Sequence, residues 1–313
     1  MLTSPLVLLA DALAGSRRAL ARAITLVESR TPAGDTIMAA VAPRRAAAPG
    51  APAVVGITGP PGAGKSTFTD RLVTAARGAG QRVAVVAVDP SSPRTGGAIL
   101  GDRLRMDRHA DDGGVFIRSL SARGHAGGLS RATGQVVDLF DACGYDLVIV
   151  ETVGVGQGEL GVVEVADTVL LVVTPESGDS VQAMKAGLIE VADAFVVNKA
   201  DRPGADALAR ELELAVHLDD RPGWQAPVFT ASALEGRGVS PVVDALSRHA
   251  EYLRGEGRPA WDHRRAEGRL RTWLDLVAED ARADALGRWA GSRELADLRA
   301  GLLRPENFPR VRA

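Results

Sequence analysis

The chain has 313 residues, of which 46% are hydrophobic and 24% charged, with a formal net charge of −2. That length supports one large buried core with attached helices, and the near-neutral charge offers no basic surface for nucleic acid or an anionic membrane. The single cysteine, Cys143, rules out an intramolecular disulfide framework and reads as a small core residue.

Residues 1–42 read as an N-terminal helical segment, with Arg17, Arg18 and Arg22 on a polar face and Leu20, Ile24 and Val27 on an apolar one. No basic n-region precedes the apolar residues near Met1, and no run of about 18 apolar residues occurs. A cytoplasmic protein without a signal peptide or membrane span is therefore expected. The Ala- and Pro-rich stretch Ala42 to Pro52 reads as a linker.

From residue 53 to about 240, apolar strand patterns alternate with helical ones. This predicts an α/β domain with a mostly parallel sheet covered by helices on both faces. The first strand, Ala53 to Thr58, runs into Gly59-Pro60-Pro61-Gly62-Ala63-Gly64-Lys65-Ser66, the G-x-x-x-x-G-K-[ST] phosphate-binding loop. Ser66 to Ala76 has helical spacing, so strand, glycine-rich turn and helix N-terminus together form an anion site. In that reading the loop amides and Thr67 wrap the phosphates, Lys65 reaches the β- and γ-oxygens, and Ser66 ligates Mg²⁺.

The next apolar strand, Val83 to Val88, ends at Asp89, followed by Gly96-Gly97, Gly101-Asp102 and the cluster Arg103, Arg105 and Arg108. An acid at the carboxyl end of a parallel strand beside the phosphate loop is placed to hold metal-bound water. Asp89 and Asp102 are therefore candidate metal-sphere residues, against the plainer readings of a turn cap and a solvated loop charge. The arginines suit either transition-state charge or a solvated loop.

Tyr145 to Val150 forms a central strand that delivers Glu151-Thr152-Val153-Gly154. Glu151 takes the place of the acid that organises the Mg²⁺ water shell, and Gly154 that of the γ-phosphate sensor. Val155 stands where Ras-type enzymes carry the water-orienting glutamine, and Gln157 follows two residues later. Slow intrinsic hydrolysis is the expectation. Lys65, Glu151, Asp89 and Asp102 are the candidate catalytic residues, and Ser66, Asp89, Asp102 and Glu151 the candidate metal ligands.

Further on, Ala194 to Val197 leads into Asn198-Lys199-Ala200-Asp201, the N-K-x-D signature. The Asp201 carboxylate matches the guanine N1–H and 2-amino donors, whereas adenine would leave it unpaired. Asn198 braces the loops and Lys199 packs along the base. The strand Ala226 to Thr230 precedes Ala231-Ser232-Ala233-Leu234, whose backbone suits the guanine O6. The predicted nucleotide is GTP. Beyond Pro241 two helices follow, carrying Val242, Leu246 and Leu253, then Leu270, Trp273, Leu274 and Val277, and separated by Gly255 to Pro259. Residues 241–313 form the expected C-terminal helical region. His109 and His125 have no ligand-spaced partner.

Several segments resemble the MeaB/ArgK family of methylmalonyl-CoA mutase-associated GTPases, related to the metallocentre-assembly GTPases. They are Val88 to Asp102 with Arg105-Met106, Arg118 to Ser130, Glu151 to Glu159, Thr174 to Gly187 and Asn198 to Asp201. The resemblance implies a GTP-dependent chaperone of an adenosylcobalamin-dependent acyl-CoA mutase. Methylmalonyl-CoA mutase is the foremost client, and the job is to gate cofactor loading from an adenosyltransferase and to protect or reactivate the mutase. It further implies switch segments at Asp89 to Arg108, Gly154 to Glu159 and Gly178 to Lys185, with Asp179 and Lys185 in the third, and a homodimer built on the C-terminal arm. The rival readings are a nickel-type assembly GTPase, a small-substrate kinase or transport ATPase, and a targeting GTPase. The chain has no C-x-x-C or Cys-x-His site for nickel, and four methionines do not make the Met-rich tail of a targeting protein.

Overall fold

A computed structural model describes residues 4–47, 53–89, 106, 108–121, 132–152, 161–176, 187–218 and 223–289. The elements run α1 (Pro5–Leu13), α2 (Arg17–Glu28), α3 (Pro32–Ala47), β1 (Ala53–Thr58), α4 (Lys65–Gly78), β2 (Val83–Asp89), β3 (Val115–Ser121), α5 (Ala132–Ala142), β4 (Leu147–Glu151), β5 (Thr168–Val173), β6 (Ala194–Val197), α6 (Ala205–His217), β7 (Val228–Thr230), α7 (Val239–Arg254) and α8 (Arg258–Trp289). Among them, β3-β2-β4-β1-β5-β6-β7 form one seven-stranded sheet, every pair parallel.

Alternation of side chains along each strand divides the core. Val54, Ala84, Val86, Val88, Val148 and Val150 face α1, α2, α3 and α5, while Val55, Ile57, Val83, Val85 and Ile149 face α4 and α7. Leu171, Val173, Phe195 and Val197 pack under α6. Strands buried on both faces explain the unbroken apolar runs in the sequence. Gly56 sits where an added Cβ would lie 2.3 Å from Val162 Cγ2, so only glycine lets the 161–164 turn close over β1.

Two boundaries differ from the sequence reading. Helix α3 continues to Ala47, into the stretch expected as linker, because alanine is the strongest helix former. The chain divides into compact units at residues 1–269 and 270–313 rather than near Pro241. Helix α7 lies with the sheet because Val242, Ala245, His249 and Leu253 are buried there. Among the described residues no helix is long and apolar enough to cross a membrane.

The amino-terminal end of the sheet is held by a buried polar network. Asp167, 4% exposed in its side chain, accepts at Oδ1 from Arg265 Nε (2.6 Å) and Trp261 Nε1 (2.7 Å), and at Oδ2 from Arg265 Nη2 (2.7 Å) and the Val54 amide (3.0 Å). The Arg265 guanidinium also lies 4.4 Å from the centroid of the Trp261 ring. Beside it, His249 shares a 2.8 Å hydrogen bond with Thr168 Oγ1, with its Nε2 3.6 Å from Asp193 Oδ1. Trp224 and Tyr252 pack on its ring, and Arg264 reaches Asp193 Oδ2 at 3.4 Å.

Asp167→Ala would strand a half-buried guanidinium, an indole N–H and a buried backbone N–H. It is expected to cost about 3–5 kcal/mol of stability in denaturant unfolding, and a loss below about 1 kcal/mol would contradict this account. Burial pushes the His249 pKa down, with nearby Asp193 pulling the other way. The folded ring therefore stays neutral at a pH where the unfolded one takes a proton. Its stabilisation is complete above the ordinary histidine pKa of about 6.5 and falls away as the pH drops toward the folded value. His249→Gln should flatten the decline of the urea midpoint between about pH 7 and pH 5; an unchanged slope would assign that decline to other groups.

Candidate functional site

Parallel pairing sends the carboxyl ends of β1, β2, β4, β5, β6 and β7 to one edge of the sheet, where open α/β sheets bind ligands. Residues 59–64 join β1 to α4 across that edge. Gly59 and Gly64 have φ of +137° and +87°, and a Cβ on them would lie 2.0 Å from Val172 O and 2.4 Å from Asn198 Nδ2. Both positions require glycine. Gly64 caps α4 without a side chain, and the first turn of such a helix, with its dipole, favours an anion. The Lys65 ammonium is buried and donates to Gly59 O (2.7 Å) and Pro60 O (3.1 Å). Its carbon stem is thus curled over the loop that it would serve.

Glu151 ends β4 and pairs in register with Ile57 on one side and Ala87 on the other. Its carboxylate, in a residue only 3% exposed, accepts from Ser66 Oγ at 2.5 Å and Thr69 Oγ1 at 2.9 Å. Ser66 and Thr69 are three apart and share one face of α4. Sequence reasoning missed Thr69, although that spacing was the available signal. A hydroxyl that donates to Glu151 keeps lone pairs for a hard cation, so Ser66 and Glu151 suit Mg²⁺ with several retained waters. Thr152 adds a hydrogen bond from its amide to Ile57 O at 3.0 Å, fixing the start of the next segment.

The other end of the candidate site is assembled from two loops. Asn198 Nδ2 donates to Ala63 O in the phosphate loop (2.8 Å), and its Oδ1 accepts from the Ala233 amide (3.0 Å). One side chain therefore braces both halves of the site. Ser232 Oγ donates to Asp201 Oδ1 (3.0 Å), Ala200 N donates to Ala231 O (2.9 Å), and Lys199 adopts a left-handed φ of +59°. Asp201 and Leu234 are exposed beside them.

The structure thus brings together Gly59, Pro60, Pro61, Gly62, Ala63, Gly64, Lys65, Ser66, Thr67 and Glu151 at one end, and Asn198, Lys199, Asp201, Ser232, Ala233 and Leu234 at the other. The Asp89 backbone closes β2 opposite Ser121, with its side chain outside what is described. Asp102, Arg103, Arg105, His125, Gly154, Val155, Gln157, Asp179 and Lys185 lie outside the described residues. Arg108 and His109 are described, and both bond to Asp70 on α4: Arg108 Nε to Oδ1 at 2.5 Å and His109 Nε2 to Oδ1 at 3.0 Å. His109 is therefore spoken for structurally. Among the described residues no group of three or more His, Cys, Asp or Glu could hold a metal.

The chain matches the family model described as Methylmalonyl Co-A mutase-associated GTPase MeaB over residues 20–287. A protein of Pyrococcus horikoshii named as a GTPase is 49% identical over 275 residues, covering 86% of each chain. GTPase ArgK of Escherichia coli is 43% identical over 249 residues, 78% of this chain and 75% of its own. The mouse Methylmalonic aciduria type A homolog, mitochondrial, is 36% identical over 282 residues, 85% of this chain and 67% of its own. Among solved structures, the LAO/AO transport system kinase superposes with a TM-score of 0.71 at 31% identity, over 98% of this chain and 95% of that one.

Glu151→Gln keeps the size of the side chain but removes its charge and turns part of it into a donor facing two hydroxyls. GTP turnover should fall on the order of 100-fold, with a raised Mg²⁺ requirement. A Mg²⁺ titration of phosphate release checks this, and a wild-type Mg²⁺ dependence in the variant would remove Glu151 from the metal sphere.

Proposed function

Because the chain belongs to the MeaB family of methylmalonyl Co-A mutase-associated GTPases, we propose that it is the GTP-dependent chaperone of an adenosylcobalamin-dependent acyl-CoA mutase, with methylmalonyl-CoA mutase as the client. The chain is a P-loop GTPase, hydrolysing GTP to GDP and phosphate. In the proposed role, acted out in the cytoplasm, that cycle gates cofactor transfer from an adenosyltransferase and protects or reactivates the mutase. Support for the client comes from the description of the family model and from the name of the mouse relative.

The observation that carries the catalytic part is the buried carboxylate of Glu151 bonded to Ser66 and Thr69 at the mouth of the phosphate loop. Bound Mg²⁺ would neutralise phosphate charge there. Ser66 is the protein ligand, with Glu151, Asp89 and Asp102 organising the water shell. The amides of Gly62 to Lys65 and the Lys65 ammonium stabilise charge on the γ-phosphoryl as water attacks in line, and no covalent enzyme intermediate forms. Gly154 serves as the γ-phosphate sensor. Asp201 reads the guanine N1–H and amine, and Asn198, Lys199 and the 232–234 loop shape the base pocket.

Residues 270–289 carry Leu270, Trp273, Leu274 and Val277 exposed at helical spacing. An apolar stripe of that kind suits pairing with a second copy of itself, and the proposed assembly is a homodimer through this arm. Asp179 and Lys185 are assigned to the switch that reports hydrolysis to the mutase.

GTP turnover by the purified protein should rise several-fold on adding purified methylmalonyl-CoA mutase, by the logic of a partner completing a hydrolytic site. No stimulation by that enzyme or by isobutyryl-CoA mutase, with GTP still bound, would refute the client assignment and leave the GTPase intact.

A further inference from the structure

Arg71 belongs to α4, but its guanidinium reaches the base loop. Nε donates to Ala233 O at 2.8 Å and Nη2 to Leu234 O at 2.7 Å. These are consecutive carbonyls, held by two prongs of one planar fork. That geometry suits arginine and cannot be matched by the point charge of lysine. On its other side the same loop is gripped by Asn198, which accepts from the Ala233 amide at 3.0 Å. The loop returns on itself through the Ser232–Arg237 bridge and the Gly236 N–H to Ala233 O bond at 3.3 Å.

The peptide plane converts this contact into an orientation. Across a trans peptide the carbonyl of one residue and the N–H of the next point in opposite directions. Holding Ala233 O against α4 therefore turns the Leu234 N–H to the far side of the loop. That N–H donates to no group among the described residues, and the Leu234 side chain is 81% exposed beside it. An outward, unspent amide on the loop next to Asp201 is a donor waiting for an acceptor.

We propose that Arg71 is a specificity-positioning residue. By clamping the Ala233 and Leu234 carbonyls it aims the Leu234 amide at the 6-oxo group of guanine, and it ties base recognition to the helix whose N-terminus faces the phosphates. The inference rests on the reading of Asn198 to Asp201 and Ser232 to Leu234 as the guanine site. Arg71 touches neither phosphate nor the reacting atoms, so its signature is base discrimination rather than turnover at saturation.

The test compares three diphosphates on the full chain by competition binding: GDP, IDP (which lacks the 2-amino group read by Asp201) and 6-thioguanosine diphosphate (which keeps the N1–H and the 2-amino group and replaces only the 6-oxo oxygen, by a weakly accepting sulfur). Wild type should prefer GDP to the 6-thio nucleotide by roughly tenfold, the order of one well-made hydrogen bond. In Arg71→Ala that preference should shrink to within about threefold while the GDP-to-IDP ratio stays within about twofold of wild type, and kcat for GTP should stay within about twofold. Arg71→Lys, able to reach one carbonyl at a time, should fall between and carries the comparison if the alanine variant does not fold. An unchanged preference for GDP over the 6-thio nucleotide in the variant, whatever the overall affinity, would overturn the positioning role. A wild type that binds both equally would show instead that the loop does not read the 6-oxo group, so the base-site reading itself fails.

Discussion

A carboxylate removed from water has to be surrounded by donors or by cations, and Glu151 meets that demand through the helix that follows the phosphate loop. Ser66 and Thr69 turn their hydroxyls onto its two oxygens, which binds the end of β4 to the start of α4. The rest of the site is laid out from that contact. β4 is the immediate neighbour of β1 in the sheet, so the acid and the phosphate loop leave adjacent strands on the same edge. A strand order that separated β1 from β4 would put Ser66 and Thr69 out of reach of the Glu151 carboxylate.

Helix α4 then acts as the common support. Its N-terminus follows the phosphate loop, and Arg71, further along the same helix, reaches the 232–234 loop. Asp70 takes hydrogen bonds from Arg108 and His109, holding the segment that precedes β3. Near its end Arg77 grips Asp112 with a bidentate pair, Nε to Oδ2 at 2.8 Å and Nη2 to Oδ1 at 2.9 Å. That hydrogen bonding holds the Asp112 carboxyl below its ordinary pKa.

The opposite end of the sheet has a different purpose. There Asp167 and Asp193 accept from the backbone of β1 and β5 as well as from Arg265, Arg264 and Trp261. The first turns of α8 are thereby tied to the strand starts, far from the carboxyl edge. Nucleotide chemistry and helix anchorage thus use the two ends of the same strands.

Much of this was legible in the residues. The phosphate loop, the N-K-x-D run and the apolar strands are local patterns, and local patterns fix backbone conformation: glycine at Gly59 and Gly64, buried β-branched strands and the cap-free start of α4. The sequence reading of a parallel α/β sheet covered on both faces, and of Glu151 at the end of a central strand, agrees with the structure for that reason. What the chain could not announce was which distant groups meet. Arg71 on Ala233 and Leu234, Asp70 on Arg108, and Asp167 between Val54 and Arg265 are pairings of residues with no spacing rule between them. The same holds for α7, which helical spacing beyond Pro241 assigned to a C-terminal region and packing assigned to the sheet. By itself the sequence determined the elements and the phosphate-loop chemistry, because these depend on residues within a few positions of one another. Only the tertiary structure decided the partners, because strand order and helix packing set which far-separated side chains share one place.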